Sequence, residues 1–193
     1  MRVRNLLGTA TLVAPLLLAA CSREPVSLSP QFEPPVPYRD KLAAQAADGG
    51  PACRVFIGEV KDMRPDPQAM GSIAIRPVQA VDSAGWVRSA LASLARDKRI
   101  RIADTATDSD LVLNAEILKA YVMAITTQKA ANVVIRVHYS RHGAADGEAI
   151  YRGALNDVDW IAGDDETQGA LNDALSQVID AVAGDAVARC RAP

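Results

Sequence analysis

From Leu111 onward the odd positions Leu111, Leu113, Ala115, Ile117, Tyr121, Met123 and Ile125 are apolar, with Lys119 alone interrupting. The odd positions Ala131, Val133, Ile135, Val137 and Tyr139 repeat the pattern, and Asn132, Arg136, His138 and Ser140 between them are polar. Successive strand residues point to opposite faces, so the alternation predicts two long strands with one buried and one wet face. That habit belongs to antiparallel sheets, because parallel strands are usually covered on both sides. The polar stretch Arg141 to Glu148 carries two glycines and predicts a hairpin into a third strand over residues 149–160.

The rest of the domain can be arranged around this ribbon. Val55, Phe56, Ile57 and Val60 mark a largely buried strand over residues 54–61, broken by Asp62-Met-Arg-Pro-Asp-Pro. Residues 73–75 and 100–102 read as short strands. Asp82 or Ser83 can cap a helix whose stripe is Trp86, Val87, Ala90, Leu91, Leu94 and Ala95. A closing helix begins at Asp164 or Asp165, with Asp165 and Gln168 spaced as a capping box, and buries Leu171, Ala174, Leu175, Val178, Ile179, Val182 and Ala186. The expectation is one α+β domain over residues 52–193: an antiparallel sheet with two helices on one face. Strand order stays open.

The N-terminus sets the address. Arg2 and Arg4 precede the mainly apolar run Leu6 to Leu18, and Ala19-Ala20 lead into Cys21. Charged, apolar, small is the order of a secretory signal, and the run is too short to span a bilayer comfortably. Leu18-Ala19-Ala20-Cys21 resembles the lipobox of bacterial lipoproteins, in which the cysteine is acylated, for example with palmitate, and becomes the mature N-terminus. The alternative is an ordinary signal that happens to end at a cysteine. Ser22, in place of an aspartate, points to the periplasmic face of the outer membrane in a Gram-negative bacterium. Residues 1–20 are then the signal, and residues 21–51 a lipidated cysteine and flexible Pro-rich arm, with a possible helical turn over residues 42–47. The six prolines from Pro25 to Pro51 predict a spacer that holds the domain off the membrane and forms no packed element.

Once Cys21 is assigned to lipid, Cys53 and Cys190 are left as a pair in an oxidising compartment, most simply a disulfide between the first strand and the end of the last helix. The competing reading is two unrelated core cysteines. Without Arg2 and Arg4, 19 basic residues face 23 acidic ones, a mixed balance that argues against nucleic acid.

A catalytic set is not evident. There is no glycine-rich phosphate loop, His138 and His142 fall on a strand and a hairpin tip as solvated residues, and the clustered aspartates do not match a calcium loop. The chain is therefore read as non-enzymatic, with no metal and no cofactor; a wall hydrolase is a distant rival. Asp62, Met63, Arg64, Asp66 and Met70 form a proline-stiffened, charged connector between strands and are the candidate binding loop. The alternative is a mere stiff connector. The expected partners are the membrane, through the lipid, and an envelope protein or peptidoglycan-associated component. A lipid-binding accessory role, using a cleft between sheet and helices, is the second reading.

Several of these features resemble the small YajG-like lipoproteins of Gram-negative envelopes: the lipobox, Asp62-x-Arg64 closing the first strand, the Trp86–Leu94 helix, Asp110-Leu-Val-Leu opening a long strand, the hairpin to Tyr151-Arg-Gly, and the alanine-rich closing helix. The resemblance spans residues 53–188 and implies an outer-membrane lipoprotein without an established reaction. The auxiliary lipoprotein of lipid-transport ABC systems is similar in layout. The cysteine pair belongs to neither pattern.

Overall fold

A computed structural model describes residues 24–35, 52–125, 127–158 and 164–192. Cys21, residues 36–51 with the suggested turn, and Trp160 lie outside the described residues. The strands are β1 (Val26–Leu28), β2 (Cys53–Asp62), β3 (Ala69–Ile73), β4 (Arg76–Ala80), β5 (Ile100–Ile102), β6 (Leu111–Ile125), β7 (Gln128–Arg141) and β8 (Ala144–Val158). The helices are α1 (Ser83–Ala92), continued by a 3₁₀ turn to Arg96, and α2 (Asp164–Arg191).

The described strands form one mixed sheet, not the antiparallel sheet expected. β6 pairs with β7 antiparallel along its whole length, and β7 with β8. Its other edge is shared, both partners being parallel: β2 takes Leu111 to Ile117 and β3 takes Val122 to Ala124. β5 adds parallel to β2, β4 antiparallel to β3, and β1 parallel to β4. Alternation is plain in β6 and its hairpin partners, which have a wet face; the apolar run Val55-Phe56-Ile57 in β2 and the three residues of β5 do not declare a direction.

The alternation also changes phase. Leu111, Leu113, Ala115 and Ile117 are buried, and so are Ala120, Val122 and Ala124, whereas Tyr121 and Ile125 are exposed. The register with β7 slips between Ile117 and Lys119, a β-bulge that inserts one residue and exchanges the two faces of β6 beyond it. The interrupting Lys119 was the trace of that bulge. At the next turn, His142 (φ 50°) and Gly143 (φ 80°) are both left-handed, so the β7–β8 hairpin turns on two residues and β8 starts at Ala144, not near residue 149.

Both helices lie on one face, as expected. α1 starts where the Asp82 carboxylate accepts from Gly85 N at 2.7 Å, and it buries Trp86, Val87, Ala90 and Leu91. α2 buries Leu171, Ala174, Leu175, Val178, Ile179 and Val182, spaced three and four apart, against the sheet. The Gln168 amide turns to Gln31 O and to Asn172 and closes no capping box. Cys53 and Cys190 are disulfide-bonded with Cα atoms 5.8 Å apart, tying β2 to the last turn of α2.

The first part of the arm is built into this domain. Val26 and Leu28 are buried opposite Val78 and Ala80 of β4, and Phe32 joins the core. Apolar-polar-apolar Val-Ser-Leu between Pro25 and Pro30 suffices for a short edge strand, where proline is tolerated. The spacer reading fails for residues 24–35, and the folded unit includes them.

Gly153 fixes the distance between the layers: a Cβ there would lie 1.8 Å from the Ala174 carbonyl oxygen. Gly153→Ala must lift α2 off β8, and urea denaturation should show a loss of about 1–3 kcal/mol or more. Replacing Cys53 and Cys190 together by alanine should cost about 2–5 kcal/mol in the same measurement.

Candidate functional site

The expected binding loop is a buried clamp. Arg64 is 8% exposed and Met70 is fully buried, whereas Met63 is 55% exposed. The guanidinium meets Asp62 through Nε at 2.9 Å and Nη2 at 2.6 Å, and donates to Ala69 O, Ala120 O, Pro67 O and Ser83 Oγ. A bidentate carboxylate and four further acceptors use up the donor fork, so Arg64 has no capacity left for a ligand. Asp66 accepts from Gln68 N and Ala69 N, which shapes the turn into β3. The five residues are brought together as a joint between β2, β3, β6 and α1. Of these, Met63 and Asp66 are exposed.

A different cluster stands on the face of the sheet that the helices leave open. His138 on β7 lies between two carboxylates, Nε2 at 3.4 Å from Glu116 of β6 and Nδ1 at 3.1 Å from Glu148 of β8. Arg136 Nη1 donates to Glu116 at 3.0 Å, and Ile150 lies across from Arg136, 45% exposed. Glu59, Lys61, Asn114, Glu116 and His138 line a shallow depression there of about 400 Å³. The two carboxylates flank His138 on opposite sides of its ring, so they do not converge on one point. Among the described residues no three His, Cys, Asp or Glu side chains are grouped to hold a metal ion. His138 is thus part of a cross-strand ionic network and not a free solvated histidine. A two-residue turn at His142-Gly143 alone would set Gly147 opposite His138; the register slips by one residue between His138 and Ser140, and that bulge brings Glu148 there.

A second depression, about 510 Å³, lies between the N-terminal segment and the start of α2, lined by Ser29, Gln31, Glu33, Asp165, Gln168 and Asn172 among others. Asn172 is its hub: Trp86 Nε1 donates to Oδ1 at 2.9 Å, and Nδ2 donates to Gln31 O at 3.1 Å. Asp173 borders it, and burial, reinforced by Asp157 and opposed by Lys129, raises its carboxyl above the usual range. Most of its lining residues carry polar side chains, beside Pro34 and Pro35. The apolar cleft expected between sheet and helices is filled by core side chains, and at Gly153 the helix backbone touches the strand.

At the far end of the sheet a buried chain of hydroxyls supports α2. Tyr139 and Tyr151 are 2.5 Å apart, Tyr151 donates to Asp185 at 2.5 Å, and Arg189 stacks 4.2 Å over the Tyr139 ring. Burial is the main cause that pushes the Tyr139 phenol up to about 12, with Asp185 adding and the Tyr151 hydrogen bond and Arg189 opposing. Burial also raises Tyr151, helped by its bonds to Asp185 and Tyr139.

No family model and no curated protein matches the chain. Solved structures do match in fold. Protein XCC0632 from Xanthomonas campestris, of family DUF330, is similar at 10% identity over 84% of this chain and 95% of that one, with a TM-score of 0.59. An uncharacterized protein is similar at 12% identity over 84% and 98%, with a TM-score of 0.54. A minor lipoprotein from Acinetobacter baumannii is similar at 7% identity over 70% and 91%, with a TM-score of 0.43. At these identities the likeness is one of fold, and it rests on the first two.

Two outcomes follow from the clamp and the hydroxyl chain. Arg64→Ala should destabilise by about 3–5 kcal/mol in chemical denaturation, because it leaves buried acceptors and Asp62 unpaired, whereas Met63→Ala should change stability by less than about 0.5 kcal/mol. The folded state keeps phenol protons that the unfolded chain releases near pH 10. Stability is therefore unaffected below about pH 10 and falls as pH rises from there. A spectrophotometric titration should find that Tyr139 and Tyr151, two of four tyrosines, ionise only as the protein unfolds.

Proposed function

We propose that this chain is a lipid-anchored envelope protein of a Gram-negative bacterium that acts by binding, with no reaction of its own, and that a protein partner docks on the open face of β6–β8. The observation that carries the reading is the contrast between the two faces. One face is sealed by α1 and α2, and the other presents an ordered Glu116–Arg136–His138–Glu148 network around the exposed Ile150. Interfaces combine such exposed apolar anchors with charged groups that fix register. Both nitrogens of His138 are engaged by carboxylates, which supports binding over catalysis.

Lipid attachment at Cys21 is supported by the lipobox, and Ser22 supports transfer to the outer membrane. Kinship with the YajG-like lipoproteins belongs to this reading and is supported by the order of elements and Asp62-x-Arg64. Mass spectrometry should find Cys21 acylated at the mature N-terminus; a free thiol there would sink the anchor. A photo-crosslinking residue at position 150 in intact cells should capture one discrete protein, and Ile150→Asp should prevent association. Capture from position 104 but not from position 150 would place the partner elsewhere.

A further inference from the structure

Among the described residues three large exposed apolar side chains share one end of the sheet, whereas Met63, Val81, Tyr121 and Ile150 lie elsewhere. Ile75 is 63% exposed at the tip of the β3–β4 hairpin, Ile125 is 51% exposed at the end of β6, and Val158 is 70% exposed at the end of β8. The pairing gathers them at one end of the molecule. Ala74 N donates to Ala124 O at 2.6 Å, joining the first tip to the second, and Gln128 pairs with both Ile125 and Val158. β6 runs about 45 Å from Leu111 to Ile125, so this rim is remote from the Asp104–Asp110 loop and the His142-Gly143 turn.

The chain enters at the same end. β1 is parallel to β4, so Glu24 precedes it beside Arg76, whose Nε donates to Glu24 O at 3.3 Å. Glu24, Ala74, Ile75 and Arg76 border one shallow depression. Only three peptide links separate Glu24 from Cys21, a reach of at most about 11 Å. An acyl chain on Cys21 would hold the rim within a headgroup layer's depth of the bilayer.

We infer that this rim, Ile75, Ile125 and Val158, is a membrane-contact surface that seats the domain directly on the phospholipid bilayer in a fixed orientation; the inference rests on acylation of Cys21. Three aliphatic side chains would bind a bilayer weakly alone, but a short covalent tether makes their insertion intramolecular. Arg76 beside Ile75 suits anionic headgroups. Glu24 beside Arg76 is itself acidic, and the other acidic residues toward this end, Asp157, Asp165 and Glu166, flank the end of β8 or the start of α2. They tilt the contact onto the two hairpin tips and away from the helix layer. The Glu116–His138 network then lies away from the bilayer, on the part of the open face nearer the far end.

The test uses the acylated full chain in vesicles of phosphatidylethanolamine and phosphatidylglycerol. With Cys53 and Cys190 bridged and Cys21 acylated, an introduced thiol is the one that reacts with a polarity-sensitive fluorophore. Labels on Ile75→Cys and Ile125→Cys should shift to the blue on reconstitution and be quenched by nitroxide lipids, and a label on Asp104→Cys should do neither. If the protein carries its lipid and floats with the vesicles but all three labels behave alike, the seating is overturned and the anchor stands. An unacylated Cys21 by intact mass overturns both. Blue shifts that grow with protein concentration in detergent-free solution without vesicles would assign the rim to a second copy of the chain and overturn the membrane contact.

Discussion

Strand β6 is hydrogen-bonded along both edges, and the architecture follows from that requirement. One edge is satisfied by a single long partner, β7, and the other by two shorter ones, β2 and β3, laid end to end. A long strand flanked by two short ones tolerates a change of phase between them, and the bulge at residues 117–119 falls where β2 gives way to β3. Each half of β6 thus turns a different parity toward the helices, and the core remains continuous across the joint. Arg64 stands at that joint, taking the Ala120 carbonyl just beyond the bulge and the carbonyls of the β2–β3 turn. A buried guanidinium is suited to the place, because several backbone acceptors converge there with no ladder partner.

Much of this was legible in the residues and some was not. The two helices, their buried stripes and the β6–β7–β8 ribbon declare themselves through periodicity, which is a local property. Parallel pairing of β2 with β6 joins residues as far apart as Val55 and Leu111, and nothing in either segment encodes the partner's direction. The phase change in β6 was legible only as Lys119, a single polar residue that looked like noise. Val26-Ser-Leu28 was hidden by composition: prolines argued for an unpacked arm, yet three alternating residues at a sheet edge need little more than a neighbour with free backbone groups.

The candidate loop shows why polar residues in a connector are a weak guide to a site. Asp62, Arg64 and Asp66 read as solvent-facing charge, but all three are engaged by the loop's own backbone or by each other. A charged cluster stands instead on strands of the open face, where Glu116, His138 and Glu148 meet only after β6, β7 and β8 are in register. The His142-Gly143 turn and the one-residue slip between His138 and Ser140 together set that register. The network is a product of topology more than of any motif.

The direction of β1 has a mechanical consequence. Its hydrogen bonds to β4 cross the strand axis, and the chain leaves it toward the β3–β4 tip along that axis. A pull arriving through the residues before Glu24 would slide β1 along its neighbour, loading the Val26, Ser27 and Leu28 pairings together, instead of peeling them off one by one. Bonds loaded in parallel yield at higher force than bonds opened in sequence. A short edge strand that looks dispensable by length is oriented to behave as a grip.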